Sequence, residues 1–284
     1  KILIGIIKEE LEEIKNKYGD ERRTVIEPFQ GELEDEDLIE EEDVVITMTN
    51  FGYIKRMPEG TYKPQRRGGQ GISALTRRDE DFVSNLYITS THDTILFFTN
   101  KGRVYSLKAY QVPQAGRTAK GTAVVNLINL QKDETIQEMM PVKSFEEEDS
   151  LVFVTKDGLI KKTLISEYSN IRSNGINAIQ LNEGDELVTV RQSCPGDEYI
   201  VVTKEGMAIR FTEDQVRNIG RNGQGVKAIN LDSQDQIVSM DIVKEDNYLL
   251  AITENGFGKM TELDKYKVQN RGGKGLITYK INKK

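Results

Sequence analysis

A unit of about 50 residues that recurs along the chain is the feature that most constrains its fold. Each copy has an apolar, β-rich run, a short turn ending in glycine, and a second run, which is the pattern of a β-hairpin. The turn glycines are Gly52, Gly102, Gly158, Gly206 and Gly256, at separations of 50, 56, 48 and 50 residues. A near-constant period indicates a repeat architecture in which each unit buries its faces against its neighbours.

A glycine-rich basic loop follows each turn by about 20 residues, which gives the repeat a second landmark. The loops are Gln65–Gly71, Gly116–Gly121, Arg172–Gly175, Arg221–Gly225 and Arg271–Gly275. Their last glycines are 50, 54, 50 and 50 residues apart. Two landmarks with the same spacing argue against five unrelated hairpins.

The segments around these loops predict two further strands in each unit. We expect a strand directly after each loop, at 72–75, 122–130, 176–181, 226–231 and 276–281. We expect another before the next hairpin, at 83–89, 136–141, 186–190 and 236–243. Four strands a unit predict an all-β radial array of four-stranded blades.

The loops combine the two properties that a phosphate site needs. Arginine presents a planar fork that matches two phosphate oxygens, and glycine lets backbone N–H groups approach an anion closely. For one such loop a basic surface turn is the better interpretation, but five in the same position favour a nucleic-acid backbone as ligand. Such contacts predict binding that is sequence-independent and sensitive to salt.

The candidate DNA-binding residues fall into three groups. The strongest are Gln65, Arg66, Arg67, Gly68, Gly69, Gln70 and Gly71. Supporting candidates in the later loops are Arg117, Lys120, Arg172, Arg221, Lys227, Arg271 and Lys274. Weaker candidates beside the hairpin turns are Lys101, Arg103, Lys161, Lys162 and Arg210.

The net charge of −7 hides an asymmetry along the chain. Residues 1–43 carry 16 acidic and 6 basic side chains, whereas residues 44–284 carry 30 acidic and 33 basic ones. The repeats are therefore mildly basic. This distribution favours contact with nucleic acid more than the overall charge suggests.

The N-terminal part differs from the repeats. Ile7, Leu11, Ile14 and Tyr18 form one apolar stripe, so a helix is predicted over residues 1–18. Residues 27–43 are strongly acidic and predict a solvated linker. The β-rich domain is therefore expected over residues 44–284. Because the chain does not begin with Met, we expect it to be a piece of a longer protein.

Nothing in the sequence predicts catalysis or a metal site within this chain. The single Cys194 excludes a disulfide framework and fits a reducing cytosol. His92 is the only histidine, and no His/Cys cluster has the spacing of metal ligands. No apolar run approaches the roughly 20 residues that a transmembrane helix needs.

The stretch Gln65–Gly71 resembles the signature box of the C-terminal domain of DNA gyrase A, a family of bacterial type II topoisomerases. The family's box usually has a basic residue before its last glycine, where this chain has Gln70. Three other segments, 91–106, 161–163 and 17–24, are also similar to the family. The last resembles the end of the breakage–reunion core, so residues 1–26 are interpreted as the tail of that core.

This resemblance implies a six-bladed β-pinwheel, in which neighbouring blades exchange strands and basic loops lie on the outer rim. Five units are complete here, so we expect five to six blades, the sixth being incomplete. It implies wrapping of double-stranded DNA, which lets the gyrase holoenzyme introduce negative supercoils. The implied partners are DNA, gyrase B and the breakage–reunion core of gyrase A, in an A2B2 assembly.

The resemblance also implies that the enzyme is an ATP-dependent DNA topoisomerase in the bacterial cytoplasm, associated with the nucleoid. ATP and Mg²⁺ would serve the holoenzyme, with no cofactor, metal or catalytic residue in this chain. Two alternatives remain. One is the C-terminal DNA-capture domain of topoisomerase IV, which typically lacks an intact box. The other is a propeller-like scaffold for protein interactions, whose binding would not depend steeply on salt.

Overall fold

The computed structural model describes residues 2–20, 24, 35–61, 81–146 and 148–281. The chain divides into two compact units, residues 1–38 and 39–284. In the first unit, helix α1 spans Ile2–Tyr18, as the apolar stripe predicts. Its side chains are exposed. Within the described residues, no helix is both long and apolar enough to cross a membrane.

The second unit consists of β-strands joined by turns and short 3-10 helices. Its strands are β1 Asp43–Thr49, β2 Tyr53–Pro58, β3 Val83–Ser90, β4 Thr94–Thr99, β5 Arg103–Lys108, β6 Thr122–Ala123, β7 Ile136–Val142, β8 Ser150–Thr155, β9 Leu159–Leu164, β10 Ile176–Asn177, β11 Leu187–Ser193, β12 Glu198–Thr203, β13 Met207–Thr212, β14 Val226–Lys227, β15 Ile237–Ile242, β16 Tyr248–Ile252, β17 Gly258–Glu262 and β18 Leu276–Ile277.

These strands form antiparallel sheets, each built around one hairpin. Four sheets have four strands, in the orders β3-β1-β2-β6, β10-β5-β4-β7, β11-β8-β9-β14 and β15-β12-β13-β18. The fifth hairpin, β16–β17, is two-stranded within the described residues. Strands β3, β7, β11 and β15 are neighbours in that order, so the sheets follow one another as blades. This arrangement confirms the predicted all-β pinwheel of four-stranded blades.

Glycine is required at the hairpin turns because the backbone there is left-handed. The five turn glycines have φ between 72° and 93°, a region that residues with a Cβ rarely adopt. Gly102 shows a second constraint, since a Cβ at this position would lie 2.8 Å from the Ile179 side chain. The periodic glycines therefore mark the hairpins, as the sequence predicts.

Each complete blade takes its fourth strand from the following unit. Strand β14 pairs with β9 about 70 residues earlier, with Val226 opposite Ile160 and Lys227 opposite Leu159. β6, β10 and β18 pair in the same way with β2, β5 and β13. Neighbouring blades therefore exchange strands, as the resemblance implies.

The strands that follow the basic loops are shorter than predicted. We expected one at 122–130, but β6 ends at Ala123 and a 3-10 turn follows at Val124–Asn126. The other described strands of this type also have two residues each. The cause is a bend after the second residue, where the N–H groups of Ala178 and Ile179 both donate to the carbonyl of Gly102, at 2.8 and 3.1 Å. The expected strand at 72–75 lies outside the described residues.

The core lies between blades, so that central strands are buried on both faces. All six residues of β8 are buried. Phe98 of the second blade packs edge-on against Phe153 of the third, with ring centroids 5.6 Å apart. Burial of such rings contributes on the order of 2–3 kcal/mol each, which stabilises the stacked arrangement.

Candidate nucleic-acid interface

The described basic loops are linked to one another through the segments that follow them. The Asn129 side chain donates to the carbonyl of Ser173 at 3.5 Å, and the N–H of Gln180 donates to Gly223 at 3.2 Å. The N–H of Asn230 donates to Gly273 at 2.8 Å. The three links join equivalent positions of successive units. The loops therefore form a continuous series from blade to blade, which we call the loop belt (residues 116–129, 172–182, 220–230 and 270–275).

The last glycine of each loop lets the chain lie directly against the preceding blade. Gly121, Gly175, Gly225 and Gly275 all have positive φ. A Cβ at Gly225 would lie 2.4 Å from the carbonyl oxygen of Ile160, which is closer than real Cβ contacts. Only glycine permits this approach, so the loop is held against the blade at its exit.

Most of the predicted supporting cations lie exposed on the loop belt. Five are exposed, namely Arg117, Lys120, Arg172, Lys227 and Lys274. Arg221 and Arg271 are partly buried. Exposed cations beside glycine-rich backbone are the arrangement that phosphate contacts require. All seven supporting candidates of the sequence analysis thus lie on the loop belt.

The acidic neighbours of these cations are few and distant. Arg221 lies 3.9 Å from Glu167, and Lys274 lies 3.9 Å from the largely solvated Asp232. Exposed pairs of this kind contribute little, at most about 1 kcal/mol, so a stronger anion can displace them. Lys120 instead stacks over the Tyr53 ring, 3.5 Å from its centroid.

Arg271 plays a different part from its neighbours. Its Nε donates to the carbonyl of Gln215 at 3.1 Å, and Nη1 donates to the carbonyl of Lys227. The side chain therefore joins its own loop to the preceding one. It supports the belt as well as adding charge to it.

The strongest sequence candidates, Gln65–Gly71, lie outside the described residues. Their role therefore remains a prediction from the sequence.

The weaker candidates beside the hairpin turns include residues that the structure excludes from direct contact. Lys161 is fully buried and Lys162 is 5% exposed, in an ion pair with Glu213. The guanidinium of Arg210 pairs with Glu198, and that of Arg103 lies 3.6 Å from Glu134. These side chains connect elements of the blades, so the prediction of phosphate contact is wrong for Lys161 and Lys162. Lys101 is exposed.

Two exposed cations that precede the loop arginines in sequence were missed by the sequence analysis. Arg217 lies four residues before Arg221, and Lys267 four residues before Arg271. Both are exposed. Aligning the units on their loop arginines would have revealed this second basic position.

Lys161 has an environment that disfavours its charge. Burial, together with the nearby Arg221 charge, lowers the pKa of Lys161 to about 7. The unfolded chain keeps an ordinary lysine pKa near 10.4, so the unfolded state binds the extra proton between these two values. Stability conferred by this residue is therefore lowest below pH 7 and rises as the pH increases towards 10.

We expect the stability difference between the wild-type protein and Lys161→Met to depend on pH accordingly. Between pH 7 and 8.5, the unfolding free energy of wild type should rise by up to about 2 kcal/mol relative to the variant. Urea unfolding at both pH values measures this difference. Burial raises the pKa of Tyr168 and Tyr199, so neither titrates in this window. A difference that does not change with pH would contradict the prediction.

Across the described part of the chain, no group of three His, Cys, Asp or Glu side chains is placed to hold a metal ion. The one histidine, His92, has its Nε2 2.9 Å from the carbonyl of Ile39. Thr91 accepts from the N–H of Glu42 and donates to the carbonyl of Glu40. These contacts hold residues 39–42, at the end of the predicted acidic linker, against the first blade.

Comparison with known proteins gives consistent results. A family model described as "DNA gyrase C-terminal domain, beta-propeller" matches residues 43–90, 93–143, 149–193, 197–244 and 247–284. The DNA gyrase A protein of Clostridium acetobutylicum is 55% identical over 99% of this chain, and that of Mycolicibacterium smegmatis is 44% identical over the same share. In both cases the match covers 34% of the relative. The chain therefore spans about a third of the length of these relatives.

Two solved structures are also similar. The C-terminal domain of DNA topoisomerase IV has a TM-score of 0.73 at 29% identity, covering 84% of this chain and 73% of that one. A DNA gyrase A C-terminal domain has a TM-score of 0.65 at 29% identity, covering 83% and 76%.

Proposed function

Since this chain belongs to the DNA gyrase C-terminal domain family, we propose that it binds double-stranded DNA along the loop belt. The observation that carries this proposal is the series of hydrogen bonds from Asn129, Gln180 and Asn230 to the next loop. These bonds place one cationic loop after another from blade to blade. The ligand that fits is a long, regularly charged polyanion rather than a small molecule.

Contacts to phosphate would make the binding independent of base sequence. DNA carries about one charge per 1.7 Å of helix axis, and each neutralised phosphate releases counterions. Following a curved belt requires DNA to bend, at a cost of about 1–6 kcal/mol for each 20–30 base pairs. One loop could not offset this cost, whereas several loops in series could. We therefore propose that the duplex wraps around the blades.

Wrapping connects this chain to the proposed activity of the whole protein. The curated relatives are gyrase A proteins, and we propose that the domain presents a wrapped DNA segment to the breakage–reunion core of gyrase A. With gyrase B, in an A2B2 assembly that uses ATP and Mg²⁺, the result would be negative supercoiling. The bacterial cytoplasm, at the nucleoid, is the corresponding location.

A salt titration tests the DNA-binding proposal. Affinity for a duplex of arbitrary sequence should fall linearly with log salt concentration, with a slope of about −0.9 for each neutralised phosphate. The double variant Arg172→Ala with Lys227→Ala should reduce the magnitude of that slope by about 2. Fluorescence anisotropy with a labelled duplex measures both quantities.

A charge-matched control separates the belt from the remaining surface. Lys143 and Lys244 are exposed and follow β7 and β15, at the sheet edges opposite β10 and β18. Alanine at both should leave the slope unchanged. Equal effects of the two double variants would contradict a localised belt, and a salt-independent affinity would favour a protein-interaction scaffold instead.

DNA capture without wrapping is the second candidate function, favoured by the likeness to the topoisomerase IV domain. Ligation of nicked circular DNA in the presence of the protein distinguishes the two. Wrapping with a fixed hand changes the linking number of the closed product, whereas capture alone does not. A shift of constant sign that grows with protein concentration is the result expected for wrapping.

A further inference from the structure

Two buried lysines lie directly beneath loops of the belt. Lys55 in β2 is 2% exposed and Lys161 in β9 is fully buried. Each is the third residue after a turn glycine, Gly52 or Gly158, so the two positions are equivalent in the repeat. A lysine is almost never buried unless its ammonium has partners.

The partners of Lys55 are backbone carbonyls of the basic loop that belongs to the second unit. Its Nζ donates to the carbonyl of Arg117 at 2.6 Å, to that of Ala119 at 2.9 Å and to that of Gly116 at 3.4 Å. Three carbonyls of one short loop therefore converge on one ammonium.

Lys161 makes the corresponding contacts two units later. Its Nζ donates to the carbonyl of Arg221 at 2.6 Å and to that of Ala178 at 2.5 Å. It also lies 5.3 Å from the centre of the Phe153 ring. In each case, the carbonyl of a predicted DNA-binding arginine is turned inward to a buried lysine amino group.

The second and fourth units have no cation at this position. Tyr105 occupies it in the second unit and Ile209 in the fourth. Tyr105 lies under the next loop at Gly175, where a Cβ would be 2.6 Å from the ring. From the first unit to the fourth, a lysine beneath the next loop thus alternates with an aromatic or apolar side chain.

We propose that Lys55 and Lys161 are positioning residues of the DNA interface, which hold the loop carbonyls inward so that Arg117 and Arg221 are presented to phosphate. This inference rests on the proposed DNA-binding function. A carbonyl oxygen that faced a phosphate would repel it, whereas loop N–H groups and cationic side chains attract it. The buried lysine holds the carbonyls inward and so excludes loop conformations that would repel phosphate. Less conformational entropy is then lost when DNA binds.

A double-mutant cycle tests the inference at the first of these lysines. Lys55→Met keeps the length of the side chain and removes its charge and its donors. Losing charge-assisted hydrogen bonds to the loop should weaken DNA binding about tenfold. When Arg117 and Lys120 are already alanine, the same change should weaken it less than about twofold, since the loop then has no cation to position.

Two further variants separate positioning from general structural damage. Val190→Ala truncates a buried side chain in β11, at the sheet edge opposite β14, and should lower stability while leaving affinity unchanged. Lys55→Arg keeps a cation with donors for the same carbonyls and should restore affinity to within about threefold of wild type. Equal losses from Lys55→Met with and without the loop cations would overturn the inference.

The cycle of Lys161→Met with Arg221→Ala is a second, independent test that applies if Lys55→Met does not fold. If neither lysine is coupled to its loop arginine, the inference is wrong while the salt-dependent binding of wild type still supports the proposed function. If wild type itself shows no salt-dependent affinity, the proposed function fails first.

Discussion

Alanine at both Arg66 and Arg67 is expected to abolish negative supercoiling by the assembled enzyme, while relaxation and decatenation survive. The adjacent arginines beside Gly68 and Gly69 are the densest group of candidate phosphate ligands in the sequence. Supercoiling, in our proposal, requires a wrapped segment of fixed hand, whereas relaxation and decatenation require only strand passage. Agarose gels of relaxed, supercoiled and catenated substrates measure the three activities separately.

The chain offers a matched control for this variant. Arg77 and Arg78 are also adjacent, but Asp79, Glu80 and Asp81 follow them in place of glycines. Acidic neighbours offset their charge, and no glycine brings the backbone close to an anion. Alanine at both should leave supercoiling within about twofold of wild type. Supercoiling at the wild-type rate after loss of Arg66 and Arg67 would show that the box is dispensable.

Gly225→Ala is expected to destabilise the blades and to weaken DNA binding together. The φ of Gly225 is +97°, and an added Cβ would lie 2.4 Å from the backbone oxygen of Ile160, which cannot rotate away. Strain of this kind costs about 3 kcal/mol, which corresponds to a decrease in Tm of roughly 10 °C for a domain of this size. The loop would leave the blade, and Arg221 and Lys227 would lose their fixed positions.

Gly220→Ala, at the other end of the same loop, is the control. A Cβ at this residue meets nothing within 4 Å, and its φ is not in the left-handed region. We expect its Tm to lie within about 2 °C of wild type. Thermal unfolding by circular dichroism and DNA affinity at one salt concentration are the two measurements. If both alanine variants unfold at the wild-type temperature, the close approach of loop and blade is not required.

The architecture was predictable because it depends on the turn glycines and on their regular spacing along the chain. The hairpin turns need a left-handed backbone, which favours glycine. Glycines such as Gly102 and Gly206 therefore mark the turns in the sequence. The exposed cations Arg117 and Arg172 were also predictable, since loop tips are solvated and their chemistry is explicit. The exchange of strands between blades, seen in the pairing of β14 with β9, was expected from the resemblance alone, because two-residue strands leave no periodic signal.

The inward-facing cations could not be predicted for a physical reason. In a sheet with one solvent-exposed face, apolar and polar residues alternate along a strand, which separates buried from exposed side chains. Here blades pack on both sides of the β8–β9 hairpin, so Ile160 and Lys161, which are adjacent, are both buried. With such packing, the sequence pattern does not show whether a lysine beside a turn points inward or outward. The buried lysine is tolerated because its amino group donates to backbone carbonyls that are distant in sequence.

The exchange of strands determines how mechanical load would travel through this domain. If DNA binds as we propose, the bent duplex would pull outward on Arg221 and Lys227. Lys227 lies in β14, which pairs with β9 of the preceding blade. The force would therefore act as shear on the hydrogen bonds between β14 and β9, in the preceding blade. It would not act first on the blade that follows in sequence. Tension would pass from one blade to the next along the exchanged strands.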